Sequence, residues 1–157
     1  MPEVIYSPFE GKAIRLEEVK DDMFSQKLLG DGVAIYPDFK TGLFAKKTDL
    51  FAPVDGEVCL LFKTGHAIGF KTPEGKELLM HIGIDTVNLQ GAPFTIFVKQ
   101  GDTVHHGQKI GEVDFKMMTK KGLDTVTPVI WTNSEGNPVN VLTSYCEVTP
   151  ESELYTF

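Results

Sequence analysis

Short runs of apolar and β-branched residues recur along the chain, each broken by glycine or proline. The clearest are Val33–Ile35, Glu57–Phe62, Ala67–Phe70, Leu78–Ile84, Thr95–Val98, Lys109–Val113 and Pro128–Trp131. Runs this short, with turn residues between them, predict strands of an all-β sandwich or barrel. Helical periodicity is weak, and only Lys20–Leu28 and Phe115–Lys121 predict short helical turns. The pattern repeats faintly. Ser7-Pro8-Phe9-Glu10-Gly11-Lys12-Ala13 echoes Ala52-Pro53-Val54-Asp55-Gly56-Glu57-Val58, and each string is followed by a glycine-containing strand. Two related β units packed together are therefore expected. Gly101-Asp102-Thr103-Val104 and the residues up to Gly111 predict two tight turns around one short strand.

One hairpin carries chemistry. Thr72-Pro73-Glu74-Gly75 is a turn sequence, because proline presets φ and glycine tolerates the left-handed region. With Pro73 and Glu74 at the tip, His66 lies opposite His81, Ile68 opposite Leu79 and Ala67 opposite Met80. Opposed residues share a face, so two imidazoles would meet in one small volume. The neighbouring pairs are apolar on both faces, so the hairpin needs cover on its second face from a sheet or another protein. Thr64 adds a hydroxyl at the same end, and Asp85 follows His81 where the chain turns.

The 157 residues, with 41% hydrophobic and 24% charged, suit a single globular domain. No apolar run approaches the length of a membrane span, and the first eleven residues lack the features of a signal peptide. Two cysteines, Cys59 and Cys146, form no framework, so a cytoplasmic protein is expected. A net charge of −7 leaves no basic stripe for nucleic acid. Arg15 is the single arginine and no Walker motif occurs, so a bound phosphoryl group must rely on imidazole, hydroxyl and backbone N–H groups.

Two chemistries suit paired histidines. Neutral imidazoles are zinc ligands, but a third ligand is needed, and adjacent His105 and His106 in a glycine-bounded turn read as solvated. The other chemistry is phosphoryl relay, with one imidazole as nucleophile and its neighbour donating N–H to the phosphoryl oxygens.

The strings Leu29-Gly30-Asp31-Gly32-Val33-Ala34-Ile35, Ala52-Pro53-Val54-Asp55-Gly56, Thr64-Gly65-His66-Ala67-Ile68-Gly69 and His81-Ile82-Gly83-Ile84-Asp85-Thr86-Val87 resemble the glucose-type enzyme IIA family of the bacterial sugar phosphotransferase system. Gly101–Val104 and Thr127–Ile130 follow in that family's order, so the resemblance covers residues 4 to 148 of a single 1–157 domain. It implies a compact β-sandwich, a duplicated hybrid motif, acting as a cytoplasmic phosphocarrier without cofactor or metal. Such a carrier accepts a phosphoryl group from HPr and passes it to a cysteine of a IIB domain during sugar uptake. By motif match His81 is the phosphorylated residue, through Nε2. His66 supports the phosphoryl group and Thr64 assists His66. Phe24, Phe62, Leu79 and Val87 fall at positions of the apolar docking surface, and Asp21 and Asp85 at acidic positions that meet arginine on the donor. The chain departs from the family at Asn88, where an acidic residue is frequent, at Gly65, where a side chain is usual, and at Leu79, where some members carry an aromatic.

Rival readings are a biotin or lipoyl carrier and a lysostaphin-type zinc endopeptidase. The first would use Lys116 in Phe115-Lys116-Met117-Met118, but that lysine is displaced from the carrier pattern and the return strand is missing. The second requires an His-x-His pair, which does not occur.

Overall fold

A computed structural model describes residues 3–39, 46–143 and 146–157. The expected 4–148 span therefore includes residues 40–45 and 144–145, which lie outside the described ones. In chain order the strands are β1 (Val4–Tyr6), β2 (Gly11–Arg15), β3 (Asp31–Pro37), β4 (Thr48–Phe51), β5 (Gly56–Leu61), β6 (Ala67–Lys71), β7 (Glu77–His81), β8 (Phe94–Ile96), β9 (Thr103–Val104), β10 (Lys109–Val113), β11 (Thr127–Trp131), β12 (Asn140–Val141), β13 (Glu147–Val148) and β14 (Glu153–Thr156). Helix is confined to α1 (Asp22–Ser25), α2 (Phe115–Lys120) and 3₁₀ turns at Leu16–Glu18 and Thr86–Leu89 among the described residues. None of these is long and apolar enough to cross a membrane.

The strands form an eight-stranded antiparallel sheet, β13-β2-β3-β11-β7-β6-β5-β9, and two three-stranded sheets, β1-β14-β12 and β4-β10-β8. The faint sequence echo is a real duplication. The large sheet reads the same from both edges: β13-β2-β3-β11 matches β9-β5-β6-β7. Gly11 pairs with Val148 as Gly56 pairs with Val104. Ala13 N–H donates to Cys146 O at 3.1 Å, as Val58 N–H donates to Asp102 O at 2.8 Å. The two echoing turns also clasp each other. Tyr6 N–H donates to Pro53 O and Phe51 N–H to Pro8 O, both at 2.8 Å. The halves join where β7 meets β11, with Met80 opposite Val129 at the centre of the palindrome.

The main core lies between the large sheet and the two small ones. Ile5, Val33, Leu50, Ile68, Met80, Val129 and Tyr155 all belong to it and are fully buried. Strands β1, β2, β4 and β12–β14 carried too few apolar residues to stand out in sequence, and they are ordered by this packing rather than by their own pattern. The C-terminal strand illustrates it: Leu154 and Tyr155 are fully buried, and the Tyr155 hydroxyl donates to Val129 O at 2.7 Å.

The hairpin register differs from the expected one by a single residue. Ala67, not His66, lies opposite His81, and Ile68 lies opposite Met80. The cause is the turn. Thr72 N–H donates to Lys76 O and Gly75 N–H to Thr72 O, both at 2.9 Å, with Gly75 at φ +88. Three residues therefore span the tip, in the form of a tight turn closed by a left-handed glycine. A slip of one exchanges the faces of a strand. Ile68, Phe70, Leu78 and Met80 consequently all enter the main core, while Leu79 sits against a second cluster. That cluster, with Leu16, Val19, Phe24, Ile84 and Ile130, supplies from this chain the cover the hairpin's other face requires. Replacing Tyr155 by Phe leaves the shape but removes a buried hydrogen bond at the junction of the halves. Urea unfolding of Y155F should show a loss of about 1–3 kcal/mol.

Candidate functional site

Although the register separates them by one step, His66 and His81 still meet. Their ring centroids are 5.2 Å apart with planes at 75°, an edge-to-face contact. His66 precedes the first residue of β6, so its side chain is not bound to the strand's alternation. Gly65, at φ +76, bends the chain there, and an added Cβ would stand 3.0 Å from Phe94 Cβ and 3.1 Å from Ile96 Cγ1. The Gly65 departure from the family pattern thus fits its surroundings. The His66 carbonyl then accepts from Ile82 N–H at 2.7 Å, which ties it to the chain leaving β7.

His81 ends β7. The expected strand to Ile84 stops here because Gly83 adopts φ +75. Its carbonyl folds back to within 2.7 Å of His81 Nδ1. A carbonyl oxygen can only accept, so the neutral ring carries its proton on Nδ1 and keeps a lone pair on Nε2. Phe24 packs against one side of this ring, with centroids 5.2 Å apart. His66 is 4% exposed; its Nδ1 is hydrogen-bonded to the Thr64 hydroxyl, and Phe62 stands edge-on at 4.9 Å. When Thr64 donates in that bond, the His66 proton sits on Nε2.

Burial lowers the pKa of both rings from the ordinary histidine value. For His66 the charge of His81 adds to the effect. For His81 the Gly83 hydrogen bond and the carboxylates of Asp21 and Asp85 oppose it without overcoming it. Both imidazoles are therefore neutral at neutral pH, which is the nucleophilic form.

The expected docking residues divide. Phe62 and Val87 are 42% and 48% exposed, and Leu79 is half-buried. Phe24 corrects the expectation of a surface residue: it is 4% exposed, because the apolar cluster beneath the hairpin needs it as filler and His81 rests on it. Asp21 caps α1 by accepting from Met23 N–H at 2.9 Å, and Asp85 is exposed in a left-handed conformation at φ 60. Met23, at 47% exposure, joins the apolar exposed set and was missed by sequence reasoning; its place beside Phe24 in a predicted turn was the available signal. Gly83 was also missed as a site residue.

His105 and His106 stay apart from the pair. His106 stacks its ring on Tyr6 with centroids 4.0 Å apart, and its backbone N–H donates to an Asp55 carboxylate oxygen at 2.8 Å. Lys116 lies within α2, not at a hairpin tip. Among the described residues no group of three or more His, Cys, Asp or Glu side chains is arranged to hold a metal ion.

Residues 3–137 match the family model described as phosphoenolpyruvate-dependent sugar phosphotransferase system, EIIA 1. The PTS system glucose-specific EIIA component of Halalkalibacterium halodurans is 44% identical over 131 residues, which are 83% of this chain and 71% of that protein. The PTS system glucoside-specific EIICBA component of Staphylococcus carnosus is 43% identical over 139 residues, 88% of this chain but 19% of the longer protein. The solved glucose permease IIA from Mycoplasma capricolum superposes with a TM-score of 0.88 at 36% identity, covering 99% of this chain and 96% of the other.

The depressed pKa values have a sign that can be checked. Below the ordinary value of about 6.5 the unfolded chain binds protons that the folded rings refuse, so stability should fall as pH drops through that value and on through the folded midpoints. NMR titration should place the His66 and His81 midpoints below about 6.5, and urea unfolding at pH 5 should show a less stable protein than at pH 7.5.

Proposed function

The chain belongs to the EIIA 1 family of the phosphoenolpyruvate-dependent sugar phosphotransferase system, and on that premise we propose that His81 Nε2 carries its phosphoryl group. The observation behind this reading is the 2.7 Å contact of Nδ1 with Gly83 O, which leaves Nε2 as the free nucleophilic atom. The Nε2 lone pair attacks phosphorus in phosphorylated HPr. A new P–N bond forms on His81 while the donor's P–N bond breaks, its electron pair returning to the donor imidazole. The His81 proton stays on Nδ1, held by Gly83, and its positive charge partly balances the phosphoryl oxygens.

His66 stands at the edge of that group. With Thr64 donating to Nδ1, His66 Nε2–H points outward and donates to a phosphoryl oxygen, a charge-assisted bond of about 1.5–3 kcal/mol. The return step is attack by a cysteine thiolate of a IIB domain, which breaks the P–Nε2 bond and restores neutral His81. Phe62, Val87 and Leu79 give partners an apolar contact around the histidines. Asp21 and Asp85 repel the phosphoryl group unless a donor arginine pairs with them, so the partner brings the arginine that this acidic chain, with Arg15 as its single one, does not supply there. Residues 1–157 act as one such domain, in the cytoplasm.

Incubation with enzyme I, HPr and phosphoenolpyruvate should label the wild-type chain on His81. H81A should take up no phosphoryl group, and label on H81A would refute the site. H66Q should accept phosphate but pass it to a IIB domain at least tenfold more slowly, because a bond of this strength that tightens in the transition state of that step is worth a factor of ten or more. Unimpaired transfer by H66Q would remove His66 from the relay.

A further inference from the structure

We propose that Thr86 is a positioning residue for the phosphoryl-transfer reaction, aiming His81 through the two peptide groups between them. The proposal rests on His81 being the phosphorylated residue. Thr86 is fully buried, and its hydroxyl donates to Ile82 O at 2.6 Å. A threonine hydroxyl bonded to the carbonyl four residues earlier is commonplace inside a helix. Here the segment is not helical. Gly83 at φ +75 and Asp85 at φ 60 both lie between the two groups, so the bond closes an irregular turn that no helical backbone bonds support.

The turn is the one that orients His81. Ile82 O belongs to the Ile82–Gly83 peptide. The next peptide, Gly83–Ile84, offers its carbonyl to His81 Nδ1 at 2.7 Å and its N–H to Asp124 O at 3.0 Å. One plane is thus held by the Thr86 hydroxyl and the adjoining plane by the Asp124 carbonyl. The methyl group of Thr86 also packs close to this glycine: a Cβ on Gly83 would stand 2.6 Å from Thr86 Cγ2 and 3.1 Å from Asp124 O. Without the hydroxyl, Ile82 O loses its bond and Asp85 can leave a conformation unfavourable to a residue with a side chain. The Gly83 carbonyl then swings off Nδ1, and the proton is free to occupy Nε2, where it blocks attack.

The test compares T86V, which keeps the shape without the hydroxyl, with T86S, which keeps the hydroxyl. The first readout is the His81 tautomer in the unphosphorylated chain, from ¹⁵N–¹H NMR of the ring. The second is the rate of phosphoryl uptake from phosphorylated HPr. T86V should shift His81 from the Nδ1–H form toward a mixture and lower kcat about tenfold with KM little changed. T86S should restore both. An unchanged tautomer and rate in T86V overturns the proposal. So does a T86S chain as defective as T86V, since packing of the methyl would then be the cause. If T86V does not fold, T86S decides alone: retention of the Nδ1–H form supports the hydroxyl's role and its loss refutes it. A wild-type chain that takes up no phosphoryl group would sink the phosphocarrier reading, while the tautomer comparison would still judge Thr86.

Discussion

The pairing of β7 with β11 is the contact on which everything else depends. Each half of the molecule has strands whose inner residues cannot be covered from within that half. Placing Met80 opposite Val129 turns two four-stranded pieces into one sheet, and the apolar residues of both then close on a shared core. The small sheets are consequences of that union. Their strands are two to five residues long, and they gain order by lying across a surface that the large sheet has already assembled. The reciprocal bonds between the Tyr6–Pro8 and Phe51–Pro53 turns lock the halves at a second point.

A symmetric frame carries an asymmetric site. Ile68 opposite Met80 corresponds to Val33 opposite Val129, so His66 corresponds to Asp31 and His81 to Ile130. Ile130 is fully buried and apolar, and Asp31 spends its carboxylate on the N–H groups of Gly32 and Val139. The duplication therefore supplies position, not chemistry. Only one half places a histidine at the end of its central strand. That half also follows it with a glycine whose carbonyl can return to the ring.

Much of this was legible from residue order, and the failures have physical causes. Strands with continuous apolar runs, such as β3, β6 and β11, were evident because both faces are covered. Strands such as β2 and β14 were not, because each holds only two adjacent apolar residues, Ala13-Ile14 and Leu154-Tyr155, beside charged ones, too short a run to stand out. The histidine pair was recognised for a reason that proved slightly wrong. A four-residue turn was expected, but Gly75 in the left-handed region extends the tip by one residue, and the histidines meet only because His66 stands outside the pleat. Phe24 reads as surface from the sequence because residue order does not separate an apolar residue that meets a partner from one that packs beneath His81.

The pairing of β1 with β14 sets Val4 beside Thr156, and Glu3 N–H reaches Phe157 O at 3.3 Å. Chain entering before residue 3 and chain continuing after residue 157 would therefore share one doorway, on a small sheet rather than on the strand that carries His81. A fold with that layout can be tethered at either end, or spliced between neighbours, through one small sheet. The same carrier can thus work on a leash whose length and attachment set how often it meets its acceptor, with no change to the histidines themselves.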